Sequence, residues 1–188
     1  MEQDDIKAAI DKARQQMTDA IAHLERDLLR LRTGKASADL VNDIRVDYYG
    51  APTPMNQVAN ISAGDARSLV IQPWEKSMLG AIERAIFESN IGITPMNDGE
   101  AVRINIPPLT EERRRDLAKQ AKAYGEDAKI SVRNARRDAN NAIVREEKNG
   151  YPEDQSKGKQ KQVQELTDKY IAQVEEHVDR KEKDIMTV

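Results

Sequence analysis

The sequence predicts an α+β protein, a long antiparallel three-helix bundle interrupted by a small inserted β/α/β domain. Three observations predict it. Six of the seven prolines lie between Pro52 and Pro108, whereas residues 1–33 and 109–149 contain no proline and one glycine, Gly125. Charged residues make up 34% of the 188 residues and aromatics 4%, which suits narrow helical seams better than a thick sandwich. Apolar residues recur with helical period towards both ends of the chain and alternate in its middle.

The first helix is expected over about Asp4 to Leu31. Its apolar residues Ile6, Ile10, Ala13, Met17, Ile21, Leu24, Leu28 and Leu31 step by threes and fours, and Gly34 lies just beyond as a stop. At 1.5 Å per residue this rod is about 40 Å long. The middle, about 35–106, reads differently. Ile44 to Tyr48 alternates, SLVIQP (68–73) is a buried-strand run, and AVRINIP alternates towards Pro107. One helix fits Lys76–Ser89, with Leu79, Ile82 and Ile86 on one face, and Trp74 is expected in the core of this domain. A second long helix follows Pro107-Pro108, with Thr110 as N-cap and Glu111 and Glu112 in the first turn, where the helix dipole favours acids. Asn149-Gly150 and Pro152 end it near Lys148. NGYPEDQSKGK reads as a polar turn region, and a third helix is expected from about Gln160 to Met186, with Val163, Leu166, Tyr170, Val174, His177 or Val178, Lys181 and Ile185 as its weaker stripe.

None of the three long helices can bury its stripe alone, so residues 1–33 and 107–188 are expected to form one bundle and 34–106 the insert. The chain crosses between them twice, near 33–36 and 105–108. Thr33, Gly34, Lys35, Asn105, Pro107 and Pro108 are the candidate hinge residues, Gly34 supplying permissive dihedrals and the proline pair a stiff second strand.

Several chemistries are excluded or disfavoured by residue type. There is no cysteine, so disulfides, thiolate metal sites and cysteine nucleophiles are ruled out, which fits a reducing compartment. The only histidines, His23 and His177, lie far apart within long helices and read as surface or seam residues. No Gly-rich phosphate loop, GxSxG elbow or HExxH motif occurs, and no nucleophile–base pair can be named, so an enzyme is not expected. The N-terminal segment is acidic with no apolar run, resembling neither a signal nor a transit peptide, and no run is long enough to span a membrane. A cytoplasmic protein without cofactor or metal is the expectation.

The second long helix carries the functional signal. Placed at 100° steps from Leu117, the apolar residues Ala121, Tyr124, Ala128, Val132, Ala135, Ala139 and Ile143 gather on one face. Arg115, Lys119, Lys122, Lys129, Arg133, Arg136 and Arg137 gather between about 100° and 200°. Asp116, Asp127 and Asp138 take a third face, and Glu126 is the only acid on the basic one between 115 and 138. A solvated face ordinarily mixes signs. Seven cations in one stripe, on a chain of net charge −3, suit a polyanion, and the arginines suit phosphate. No aromatic interleaves with them, which favours backbone and shape recognition over base stacking. A solvated helix face is the plainer alternative. A helical scaffold is another, in which the first helix recruits a second copy, and a monomer of about 21 kDa in sedimentation would exclude it.

Four segments bear a resemblance: LRTGKAS (31–37), YYGAPTP (48–54), PPLTEERRR (107–115) and VRNARRDAN (132–140). In order and spacing the chain resembles the ribosome recycling factor family over essentially its full length. The resemblance implies a three-helix bundle with a β/α/β domain on a two-strand hinge, L-shaped and tRNA-like in outline. It implies binding to the post-termination ribosome, chiefly to large-subunit rRNA. There, with elongation factor G and the GTP that factor uses, family members split the subunits and release mRNA and deacylated tRNA. It also implies that Arg32, Arg114, Arg133 and Arg136 contact rRNA. Lys122, Lys129 and Arg137 join them as candidates from the stripe, while Arg114 lies at its edge, at about 60°. Lys35 stands where many relatives carry arginine, which keeps the charge and loses a bidentate fork. The basic run Lys157–Lys161 has no assigned role.

Overall fold

The computed structural model describes residues 2–187. By internal contacts the chain divides into two compact units, one of Met1–Thr33 with Glu111–Val188, the other of Gly34–Thr110. Residues 107–110, assigned above to the bundle, go with the second unit.

The first unit is built from α1 (Glu2–Leu29), α3 (Glu111–Lys148) and α4 (Glu153–Met186); α2 belongs to the insert. Cross-helix pairs fix the directions. Lys122 meets Glu182 and Lys129 meets Glu175, so α4 runs antiparallel to α3. Thr18 meets Tyr170 and Glu25 meets His177, so α1 runs parallel to α4 in an up–down–up bundle. Ile6, Ile10, Ala13 and Met17 of α1 pack with Val132, Ala135, Ala139 and Ile143 of α3 and with Val163 of α4. Small residues set the spacing of the helices. A Cβ on Gly125 would stand 2.6 Å from Val178 Cγ2, closer than packed carbons approach.

Two boundaries differ from expectation. The regular part of α1 stops at Leu29; Leu31 stays buried through a tighter final turn in which its N–H donates to Leu28 O (3.1 Å). α4 begins seven residues earlier than the polar composition suggested, so the connection is only Asn149–Pro152, and Lys157–Lys161 is helical. Pro152 sits at the N-cap with φ −61°, and Glu153 and Asp154 occupy the first turn. Glu153 pairs with Lys157, and buried Ser156 hydrogen-bonds Glu147, so turn-forming residue types are held in a helix by their partners.

The second unit has six strands where three were legible. β1 (Arg45–Tyr48) and β2 (Ala51–Pro54) form a hairpin. A four-stranded antiparallel sheet has the order β3-β4-β6-β5, from Ala59–Asp65, Ser68–Pro73, Val102–Asn105 and Pro95–Asn97. Helix α2 (Leu79–Glu88) buries Leu79, Ile82 and Ile86 against Leu69, Ile71, Val102 and Ile104. The observed class is α+β, with a richer sheet than the β/α/β outline. Trp74 is the exception to the expected core. It follows the last residue of β4, its N–H donates to Val58 O (3.2 Å), and it is 67% exposed.

Candidate nucleic-acid interface

The basic stripe survives folding as a face of α3, but its cations are not equivalent. Arg115 pairs with Glu111 on its own helix. Lys122 approaches Glu182 of α4 at 3.9 Å. Lys129, its side chain only 17% exposed, lies between Glu126 (3.5 Å) and Glu175 (3.2 Å). Antiparallel packing aligns acids of α4 with the N-terminal half of the stripe and neutralises it locally. Arg136 is half-buried and donates to Gln164 Oε1 (3.3 Å), a neutral partner that leaves its charge intact. Arg133 and Arg137 are exposed, about one helical turn apart, and have no side-chain partner among the described residues; Lys119 is likewise unpaired. The stripe therefore resolves into an N-terminal part that is screened except at Lys119 and an open arginine cluster at 133–137. Helical periodicity found the face, but not the carboxylates of Glu182 and Glu175, which reach it from another helix.

Arg114 requires a correction. It is 8% exposed, and its guanidinium donates to Ile185 O (2.9 Å) and Thr187 O (3.0 Å) at the end of α4. Its angle of about 60° already turned it towards the apolar face, and the structure places it inside the bundle as a clamp on the last carbonyls of α4, where a cation is favoured. Held there, its Nη1 group faces the α4 carbonyls and the side chain lies apart from the exposed stripe. Arg32 is exposed beyond the end of α1.

The candidate hinge residues are also unequal. Asn105 is the last residue of β6, paired with Ser68, and the next residue, buried Ile106, donates to Arg67 O (2.7 Å). Asn105 thus belongs to the sheet. Ala36 N–H donates to Ala66 O (2.8 Å), so the first crossing is anchored from residue 36 onward. Thr33, Gly34 and Lys35 lie outside regular structure, as do the exposed Pro107 and Pro108. Gly34 has φ +77°, and a Cβ there would meet Leu109 Cγ at 3.2 Å, so both backbone and space call for glycine.

A groove of about 410 Å³ between α1 and α3 gathers His23, Asp27 and Ser131. His23 Nδ1 pairs with Asp27 (2.9 Å), while Ser131 donates to the Asp127 carbonyl (3.2 Å). Among the described residues no group of three or more acids or histidines is placed to hold a metal ion, and no helix is long and apolar enough to cross a membrane.

Comparison with known proteins agrees along the whole chain. The sequence model of the ribosome recycling factor family matches residues 24–186. The ribosome-recycling factor of Nitratidesulfovibrio vulgaris (strain DP4) is 50% identical over 185 residues, 98% of this chain and 100% of that protein. That of Bacteroides thetaiotaomicron is 52% identical over 184 residues, 98% of this chain and 99% of that protein. A solution structure of a ribosome recycling factor superposes with a TM-score of 0.80 at 38% identity, covering 97% of this chain and 98% of the other. The T. thermophilus factor, in models with E. coli elongation factor G bound to the E. coli post-termination complex, gives 0.65 at 39% identity, with 97% and 99% covered. With the basic face of α3 carried on this fold, the chain belongs to the ribosome recycling factor family.

Proposed function

We propose that this chain binds the post-termination ribosome and, together with elongation factor G and GTP, separates the subunits so that mRNA and deacylated tRNA leave. The observation that carries this reading is full-length similarity to ribosome-recycling factors, one of them placed with elongation factor G on a post-termination complex. Arg133 and Arg137 are the principal contacts to large-subunit rRNA phosphates, with Arg136 beside them and Lys119, about four helical turns away on α3, and Arg32 as further candidates. Lys122 and Lys129 add less, because Glu182 and Glu175 already neutralise them. Arg114 acts by holding α4 in place for this surface.

The chain makes and breaks no covalent bond in this reading. It is a monomeric binding body in the cytoplasm, holds no cofactor, and leaves GTP hydrolysis to its partner. Compliance is placed at residues 33–35 and 107–108, because hydrogen bonds at Ala36, Asn105 and Ile106 fasten the chain on the other side of each crossing.

Light scattering of post-termination ribosomes tests this. Adding the chain with elongation factor G and GTP is expected to lower scattering as subunits part, and Arg133→Ala/Arg137→Ala is expected to suppress that change. Wild-type protein that leaves scattering unchanged would refute the reading.

A further inference from the structure

The β1–β2 hairpin turns on Tyr49 and Gly50, with φ of 50° and 86°. Two-residue turns of this kind prefer Asn-Gly, because only small or locally hydrogen-bonding residues enter the left-handed region at low cost. The Asp47 carboxylate holds the turn by accepting from Gly50 N–H (2.8 Å). Tyr49 is nevertheless 77% exposed, so burial of its ring does not compensate its backbone strain.

What the strained turn achieves is the placement of two phenols on one carboxylate. Tyr49 donates to one oxygen of Glu75 (2.7 Å) and Tyr48 to the other (3.1 Å), with the rings edge to face and their centroids 4.7 Å apart. The residue before Glu75 is exposed Trp74. Glu75 itself has no ion pair among the described residues; its neighbour Lys76 reaches Glu100 instead (2.9 Å). Both phenols are pushed above their ordinary range, first by the hydrogen bonds to Glu75 and then by its negative charge. The result is an exposed carboxylate oriented by two phenols, without an ion pair among the described residues and directly following exposed Trp74.

We propose that Tyr48, Tyr49, Trp74 and Glu75 form a docking box for an arginine or lysine side chain presented by a basic protein segment. An ionised carboxylate offers about four lone-pair positions, and the phenols use two, leaving room for a cationic donor. Charge over the whole unit agrees, since residues 34–110 carry nine Asp or Glu against six Lys or Arg. A nucleic acid would bring phosphates towards an unpaired carboxylate, which disfavours it. The box lies on the second unit and the arginine cluster on the first, so the two are tested separately.

Trp74 is the only tryptophan, and its emission in the full chain reads the box directly. The probes are a short Arg-Gly repeat peptide, the same peptide with citrulline for arginine, and single-stranded oligouridylate. The Arg-Gly peptide is expected to change Trp74 emission saturably. The midpoint should rise about tenfold for the citrulline peptide and about tenfold for Glu75→Gln, the scale of one lost charge-assisted hydrogen bond. Glu165→Gln, an exposed carboxylate of α4, should leave it unchanged. Because Glu75 is exposed, its variant should fold as wild type, which circular dichroism checks. An absent response, equal midpoints for the two peptides, a Glu75→Gln titration matching wild type, or a response to oligouridylate alone would each overturn the box.

Discussion

Replacing Arg114 separates a residue that builds the bundle from one that binds phosphate. Its guanidinium is buried and donates to the carbonyls of Ile185 and Thr187. A hydrogen bond to a charged group contributes about 1.5–3 kcal/mol net. The lower figure applies because the freed carbonyls, close to the end of α4 and beside exposed Thr187, regain water. Two such bonds give about 3 kcal/mol for Arg114→Ala, with lost stem packing in addition. For a protein of this size about 1 kcal/mol lowers Tm by roughly 2–4 °C, so far-UV circular dichroism should show melting roughly 6–12 °C lower. Arg114→Lys, which can serve one carbonyl at a time, should recover about half of that loss. At a temperature where the variant is folded, the salt dependence of its ribosome binding should equal that of wild type. A variant that melts within about 2 °C of wild type, while its log–log salt slope falls by about one, would refute the clamp and return Arg114 to the phosphate contacts.

Three further outcomes are expected. Glu175→Gln releases Lys129 from its cross-helix partner, so affinity for large ribosomal subunits should rise and the salt slope steepen by up to about one; unchanged binding would show that Glu175 does not screen the stripe. Gly125→Ala places a methyl carbon 2.6 Å from Val178 Cγ2 and should destabilise the bundle by about 1–3 kcal/mol in urea unfolding, with Val178→Ala in the same chain recovering part of it; a neutral Gly125→Ala would contradict the close approach. Asp98 is held well below the usual carboxylate range, chiefly by the Arg103 guanidinium (2.8 Å) and then by the Ala101 and Glu100 N–H groups. Because its folded pKa is depressed, its stabilisation is fully present above about pH 4 and fades as pH falls below that value. Trp74-monitored unfolding at about pH 3 and about pH 6 should therefore differ more in wild type than in Asp98→Asn, and equal differences would exclude the contribution.

What the sequence revealed followed periodicity, and what it concealed depended on partners distant along the chain. The stripes of α1 and α3 were readable because every third or fourth residue meets the same neighbour helix, and Asn149-Gly150-Tyr151-Pro152 marked the end of α3 correctly. The start of α4 was hidden because Ser156 and Gly158 are poor helix formers, compensated by the Glu147 contact and the Lys157 pair. β2, with its two prolines, and β3, exposed along most of its length, lack the alternation that marks a half-buried strand. The basic face was legible as a face. Its division was not, because Glu182 and Glu175, which screen Lys122 and Lys129, reach it only through antiparallel packing. Arg114 shows the same limit from the other side. A motif marks it for rRNA, while its angle and then its burial assign it to the end of α4.

The central claim is that open arginines on α3 hold rRNA phosphates. Co-sedimentation of the chain with large ribosomal subunits across a salt series, beside Arg133→Ala/Arg137→Ala, tests it most directly. Wild type should bind with steep salt dependence, and the double variant should bind more weakly with a slope shallower by about two. A double variant that sediments with wild-type affinity and slope would make the face a solvated surface and contradict the account.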